Sequence, residues 1–189
     1  MKRLALSLVA ALSMAAVATT AFAGDIVTQA VTPGLRAASN ANLTLPSVAY
    51  AHTAQTSTGT MTLTADDSTG SGAGWNVTIL SSAFVYTGAN SGTNIPAANF
   101  SLTSAAAPVM TAGQAVDATG SDVAPKGPQL GTLAGVSGTL DAARKTVSAG
   151  VNFGLGTYTQ ALSVSLSIPA QSRVGTYTGT ITTTIAAAP

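Results

Sequence analysis

Cysteine and glutamate are absent from this 189-residue chain, and histidine and tryptophan occur once each, at His52 and Trp75. Without cysteine there is no disulfide, no zinc thiolate site and no thiol nucleophile, so packing and sheet hydrogen bonding must carry the stability. One imidazole and six aspartates leave little from which to build a general base or a metal site, and neither a Gly-x-Ser-x-Gly elbow nor a Ser-x-x-Lys pair occurs. The chain is accordingly not expected to be an enzyme or to carry a cofactor. Charge is scarce as well, at 7% of residues. Removal of Lys2 and Arg3 would take the formal net charge from +1 to −1, with the remaining charges scattered singly or in pairs. Such a distribution provides no basic footprint for nucleic acid or anionic lipid.

Long apolar runs are equally few. One, Leu4 to Ala18, follows Lys2 and Arg3 and leads into Ala21-Phe22-Ala23, the small-x-small pattern that a signal peptidase cuts. It is short for a bilayer and is interrupted by Ser7 and Ser13. Residues 1–23 therefore read as a signal peptide and residues 24–189 as a single exported domain, with no membrane span expected after processing. A domain of that length buries roughly 70% of its unfolded surface. With so few ionic groups, its surface must be made of Ser, Thr, Asn, Gln and Gly, which suits contact with carbohydrate polymer or with other protein copies.

What the chain does contain is alternation. Leu162, Val164, Leu166 and Ile168 are interleaved with Ser163, Ser165 and Ser167, the period of two that sends one set of side chains into a core and the other into water. Tyr177, Ile181 and Ile185 share one parity, and Thr178, Thr180, Thr182 and Thr184 take the other. The same rule predicts strands around Met61 and Leu63, over Trp75 to Ile79, at Phe100 and Leu102, and from Val147 through Phe153. The first strong strand is predicted at Leu43 to Tyr50. Upstream of it, Asp25 to Ala41 reads either as an edge strand or as a segment donated to a neighbouring copy. Turn chemistry separates these runs at Asp66 to Gly74 and Gly88 to Gly92, and a Gly-, Pro- and Ala-rich stretch from Ser104 to Gly135 leaves room for a weak strand at Val109 and Met110. Single helical turns are allowed only near Ile95 to Asn99 or Leu140 to Arg144. Many short strands with such punctuation predict an all-β fold, an antiparallel β-sandwich.

Individual candidates for chemistry have plain structural alternatives. His52, alone near a strand end, is expected to be exposed or hydrogen-bonded. Asp66, Asp67 and Ser68, and the pair Asp117 and Asp122, offer hard oxygens but not the alternating spacing of a calcium loop, so a turn capping its own amides is the expected arrangement and no metal is assigned. The Gly70 to Gly74 run precedes a strand and not a helix, which excludes a phosphate loop. Trp75, the largest apolar surface in the chain, is expected to plug the core; the alternative use of its ring is to stack on sugar.

Two segments carry a family resemblance. Gly72-Ala73-Gly74-Trp75-Asn76-Val77 follows an Asp-containing turn, and Ile168-Pro169-Ala170 is followed by Val174-Gly175-Thr176-Tyr177-Thr178-Gly179-Thr180-Ile181-Thr182. Together they resemble the WxL domain of bacterial cell-surface proteins. The resemblance places Trp75 and Val77 in the first Trp-x-Leu motif, with Val for Leu, and makes them the implied binding residues. In the second motif Thr183 stands at the tryptophan position and Ile185 at the leucine position. The family's members are exported, lack a sortase signal and associate non-covalently with peptidoglycan. By that resemblance the chain is expected to be secreted to the cell surface, with cell-wall glycan or other surface proteins as partners; alternatively, strand addition by the Asp25 to Ala41 segment would make it a subunit that self-associates into a filament or layer.

Overall fold

The thirteen residues of Gln55–Asp67 and the thirteen of Gly156–Ile168 each alternate between inward and outward side chains over their whole length, and they pair with one another without a break. They form the spine of the computed structural model, which describes residues 27–121, 124–131 and 136–187. The chain divides into two units between Val31 and Thr32. Residues 27–31, the described part of the first, are exposed and lack regular secondary structure. The signal-peptide expectation lies outside the described residues.

The second unit is all-β and antiparallel. Its strands are β1 (Arg36–Asn40), β2 (Gln55–Asp67), β3 (Trp75–Ser81), β4 (Val85–Thr87), β5 (Phe100–Ala105), β6 (Val109–Gly113), β7 (Gln129–Leu130), β8 (Gly138–Thr139), β9 (Arg144–Ala149), β10 (Gly156–Ile168), β11 (Thr176–Thr178) and β12 (Ile181–Ala187). One sheet has the order β1-β2-β10-β5-β8, with β6 also on β10; a second has the order β12-β3-β9-β7; β4 and β11 make a small ribbon. The inward faces of the two larger sheets share one core. Met61, Leu63 and Ala65 of β2 and Tyr158, Leu162, Val164 and Leu166 of β10 meet Trp75, Val77 and Ile79 of β3 and Val147 and Ala149 of β9. The β-branched and aromatic residues at these positions fit a pleated, half-buried surface, and burying a side chain such as leucine or valine contributes about 1.5–3 kcal/mol.

Several polar groups on the inward faces make hydrogen bonds, although Gln160 Oε1 has no partner. Gln160 of β10 donates from Nε2 to the Thr146 carbonyl at 3.0 Å and to the Ala106 carbonyl at 3.0 Å, tying the two sheets through the middle of the core. Asp67, whose side chain is completely buried, receives Arg36 Nη2 at 2.8 Å, fastening β1 to β2. On the open side of the sandwich, Asn40 Nδ2 of β1 donates to Thr183 Oγ1 of β12 at 2.7 Å.

Three expectations need correction. Leu43 to Tyr50 is not a strand: it runs as an irregular strap between β1 and β2. Pro46 has no amide to donate, and Leu43 and Leu45 place their side chains on the core while the backbone leaves the ladder. The first strand is instead Arg36–Asn40, within the segment read as an edge strand. The predicted strand from Val147 to Phe153 ends at Ala149, because the chain turns through Gly150 and through Asn152, which has φ 68°. The run of one parity from Tyr177 to Ile185 divides at Gly179 into β11, paired with β4, and β12, paired with β3. The weak strand allowed at Val109 and Met110 is β6, with β7 also in the Ser104 to Gly135 stretch, and the helical turn allowed near Ile95 to Asn99 is a 3-10 turn at Ala97–Asn99.

Candidate functional site

The residues singled out by the motif are interior. Trp75 and Val77 are both 0% exposed, so neither ring face nor side chain is open to a ligand. Trp75 Nε1 donates to the Gly154 carbonyl at 2.9 Å, and its ring lies 6.1 Å from that of Tyr158 across the core. A Cβ at residue 154 would fall 2.7 Å from Trp75 Nε1, and φ there is 77°, so glycine is the residue that lets the indole reach that carbonyl. The two halves of the motif are neighbours: Val77 is in register with Ile185, and Ile79 with Thr183. They form one patch of sheet packing, not an exposed platform.

The aspartates serve their own turns. Asp67 Oδ1 accepts the Thr69 amide at 3.1 Å and the Thr69 hydroxyl at 2.6 Å, while Asp66 accepts Thr157 Oγ1 at 2.6 Å and Ser68 Oγ at 2.7 Å. Burial alone would raise the Asp67 pKa, but hydrogen bonds from Arg36 and Thr69, with the guanidinium charge, outweigh it and hold the carboxyl below its ordinary value. Tyr158 is shifted upward, first by burial and then by the Asp67 charge. Asp117 is held low by the Thr119 hydroxyl and amide, with Lys126 Nζ 3.3 Å away. Asp122 lies outside the described residues. Among the described residues no group of three or more His or Asp side chains converges as a metal site. His52 is exposed and stands edge-on to Tyr50, with ring centroids 5.2 Å apart.

Aromatic side chains gather instead at one end of the sandwich. The loop from Pro169 to Gly175 meets the β4–β11 ribbon there, and the rings of Tyr86 and Tyr177 lie 5.2 Å apart. Tyr86 Oη donates to the Val174 carbonyl at 3.0 Å and Tyr177 Oη to the Arg173 carbonyl at 2.9 Å, so two phenols pin the loop. Gly88, Gly92 and Gly175 cradle the Tyr86 ring, since a Cβ at any of them would press into it. The result is a cleft of about 540 Å³ lined by Tyr50, Tyr86, Asn90, Gln171, Arg173 and Val174. Tyr50 is 52% exposed and Val174 78%. A deeper groove of about 760 Å³ adjoins it along the strap, passing Leu45, Phe84, Ile95 and Ile168.

No family model matches the chain, and no curated protein or solved structure matches it either.

In this cleft the exposed Tyr50 ring, the amides of Asn90 and Gln171 and the Arg173 guanidinium stand together on the surface. No carboxylate is among its lining residues, and His52 stands edge-on to one of them, Tyr50, without lining the cleft itself. The sequence pattern puts Tyr50 at the end of an expected strand and gives Tyr86 no place, because β4 is too short to alternate visibly. The signal that was present is glycine: Gly88 and Gly92 follow Tyr86 closely, and Gly175 stands beside Tyr177.

Proposed function

We propose that the protein is an exported, non-catalytic binding protein of the cell surface, which holds cell-wall glycan non-covalently in the cleft formed by Tyr50, Tyr86, Asn90, Gln171, Arg173 and Val174. The observation that carries this reading is the cleft itself: exposed aromatic and aliphatic surface beside amide donors and acceptors, with Arg173 as its single ionic group. Pyranose rings present apolar C–H faces and a rim of hydroxyl and acetamido groups, and aromatic faces flanked by Asn, Gln and Arg match both features. The resemblance of two segments to the WxL domain supports the envelope as the setting, while Trp75, being buried, is not a contact. No helix among the described residues is long and apolar enough to cross a membrane.

Sedimentation with purified cell wall tests the proposal. The mature chain should co-sediment, and moderate salt should leave binding nearly unchanged, since a single cation is available for screening. Tyr50→Ala should weaken binding about fivefold, corresponding to about 1 kcal/mol of lost ring contact. Release by moderate salt, or full retention of binding by Tyr50→Ala with Arg173→Ala, would refute the cleft as the site.

A further inference from the structure

Among the described residues, half of the outer edge of β2 has no strand paired to it. β1 pairs with β2 only from Leu63 to Asp67, and the chain then leaves the ladder after the Ala41 amide donates to the Thr62 carbonyl at 2.9 Å. At the other end of this pairing the Gly34 amide donates to the Ser68 carbonyl at 3.0 Å. Thr62 and Ser68 therefore direct their backbone groups toward β1, and in an antiparallel ladder the alternate residues Thr60, Thr58 and Thr56 direct theirs the same way. Nothing among the described residues is paired with β2 there; the register of Gln55 to Met61 is with β10 alone. The usual defences of a free edge are missing from this stretch: it has no charge, no proline and no bulge. Leu43 and Leu45 of the strap pack beside Gly59 on the inner side, giving the slot an apolar floor.

A matching strand lies in the same chain. Val27-Thr28-Gln29-Ala30-Val31-Thr32 is uncharged and rich in β-branched residues. Val27 and Val31 share one parity and are 94% and 92% exposed. Chain reach prevents this stretch from filling its own slot. With Gly34 bonded beside Ser68, Val31 lies within about 10 Å of that point at roughly 3.4 Å per residue, whereas the open edge begins at Met61, about 24 Å along β2.

We infer that Val27–Thr32 of one copy adds antiparallel to the open edge of β2 at Gln55–Met61 of a second copy, in line with the second copy's β1, so that copies join head to tail. Donor and acceptor are different surfaces, so the contact is heterologous and propagates as an open chain of subunits. Val27 and Val31 enter the slot above Leu43 and Leu45, while the amides and carbonyls of Thr56, Thr58 and Thr60 supply the ladder. The glycan cleft takes no part in this contact.

The mature chain, residues 24–189, should show concentration-dependent multimers by light scattering coupled to size exclusion. Deletion of residues 24–32 removes the donor, and Thr58→Pro removes an amide at the acceptor edge without touching the ladder to β10. Each variant should be monomeric. Mixed together they should form a one-to-one dimer and nothing larger, because each retains the half that the other lacks. An excess of synthetic peptide spanning residues 24–32 should break the multimers of the unaltered chain down to monomers, a test that holds even if Thr58→Pro does not fold. Sedimentation with cell wall should survive the deletion. A mature chain that remains monomeric up to about 1 mM overturns the inference and leaves the edge to a strand from another protein. Multimers that persist after the deletion, or that ignore excess peptide, overturn it equally.

Discussion

Arg36→Met isolates what holds the first strand to the sandwich. The wild-type pair joins a side chain with 14% exposure to one with none, at 2.8 Å, and leaves Arg36 Nε without a partner. Removing one member of a buried pair costs about 3–5 kcal/mol, because the other charge stays behind in a poor dielectric. The partial exposure of Arg36 and its single hydrogen bond place the expected loss at about 3 kcal/mol, a fall in Tm of about 6–12 °C for a domain of this size. The pH dependence makes the test specific. In the wild type the folded-state pKa of Asp67 lies below its ordinary value. Its contribution is therefore present above the unfolded pKa near 4 and is lost as pH falls through the folded value. In Arg36→Met burial remains while the guanidinium is gone, so the folded pKa moves up and low pH now relieves the buried charge. The gap between wild type and variant should be about 3 kcal/mol at pH 7 and should shrink toward pH 3, followed by urea denaturation across that range. Arg36→Met combined with Asp67→Leu should recover most of the loss at neutral pH, since a buried ion pair is readily replaced by apolar packing. A gap that is constant with pH, or a double variant no better than the single, would refute the account.

Gln160→Leu should destabilise the fold by only about 1 kcal/mol in chemical denaturation, because it removes the two hydrogen bonds from Nε2 while the Thr146 carbonyl keeps the Gly131 amide and the unpartnered Oε1 is removed as well. Gly154→Ala should cost about 2 kcal/mol or more, since the new methyl meets Trp75 Nε1 and φ is 77°; loss of the buried-indole fluorescence signature on mild heating would report it. Gly175→Ala should disturb the Tyr86 ring and weaken wall sedimentation while leaving the core melting transition within about 1 kcal/mol of wild type. His52→Ala should leave both stability and wall sedimentation unchanged, because the ring is exposed and lies outside the cleft lining. A chelator should likewise leave sedimentation unchanged, the aspartate oxygens being engaged by their own turns.

Alternation along one strand is a local property, and in β2, β3 and β10 it could be read directly. The inward faces of β2, β3 and β10, the burial of Trp75, and the all-β class follow from side chains that a pleated backbone sends alternately to core and water. The self-capping of the Asp turns follows equally from residues two apart. Leu43 to Tyr50 shows where local reading stops: its pattern suits a strand, yet pairing is decided by what lies alongside, and there the chain runs as an unpaired strap between two strands of the same sheet. The break at Gly179 is of the same kind, since β4 and β3 compete for successive parts of one run.

Composition and short-range pattern thus determined the class of fold, the identity of the core and the poverty of reactive groups, because each depends on residues near one another in the chain. Only tertiary structure decided where a ligand or partner would meet the molecule. Tyr50, Tyr86 and Arg173 come from three separate segments and become neighbours through loop closure, and the vacancy beside β2 exists because β1 is shorter than the strand it joins. Both are matters of distance between remote residues, which no periodicity in the sequence records.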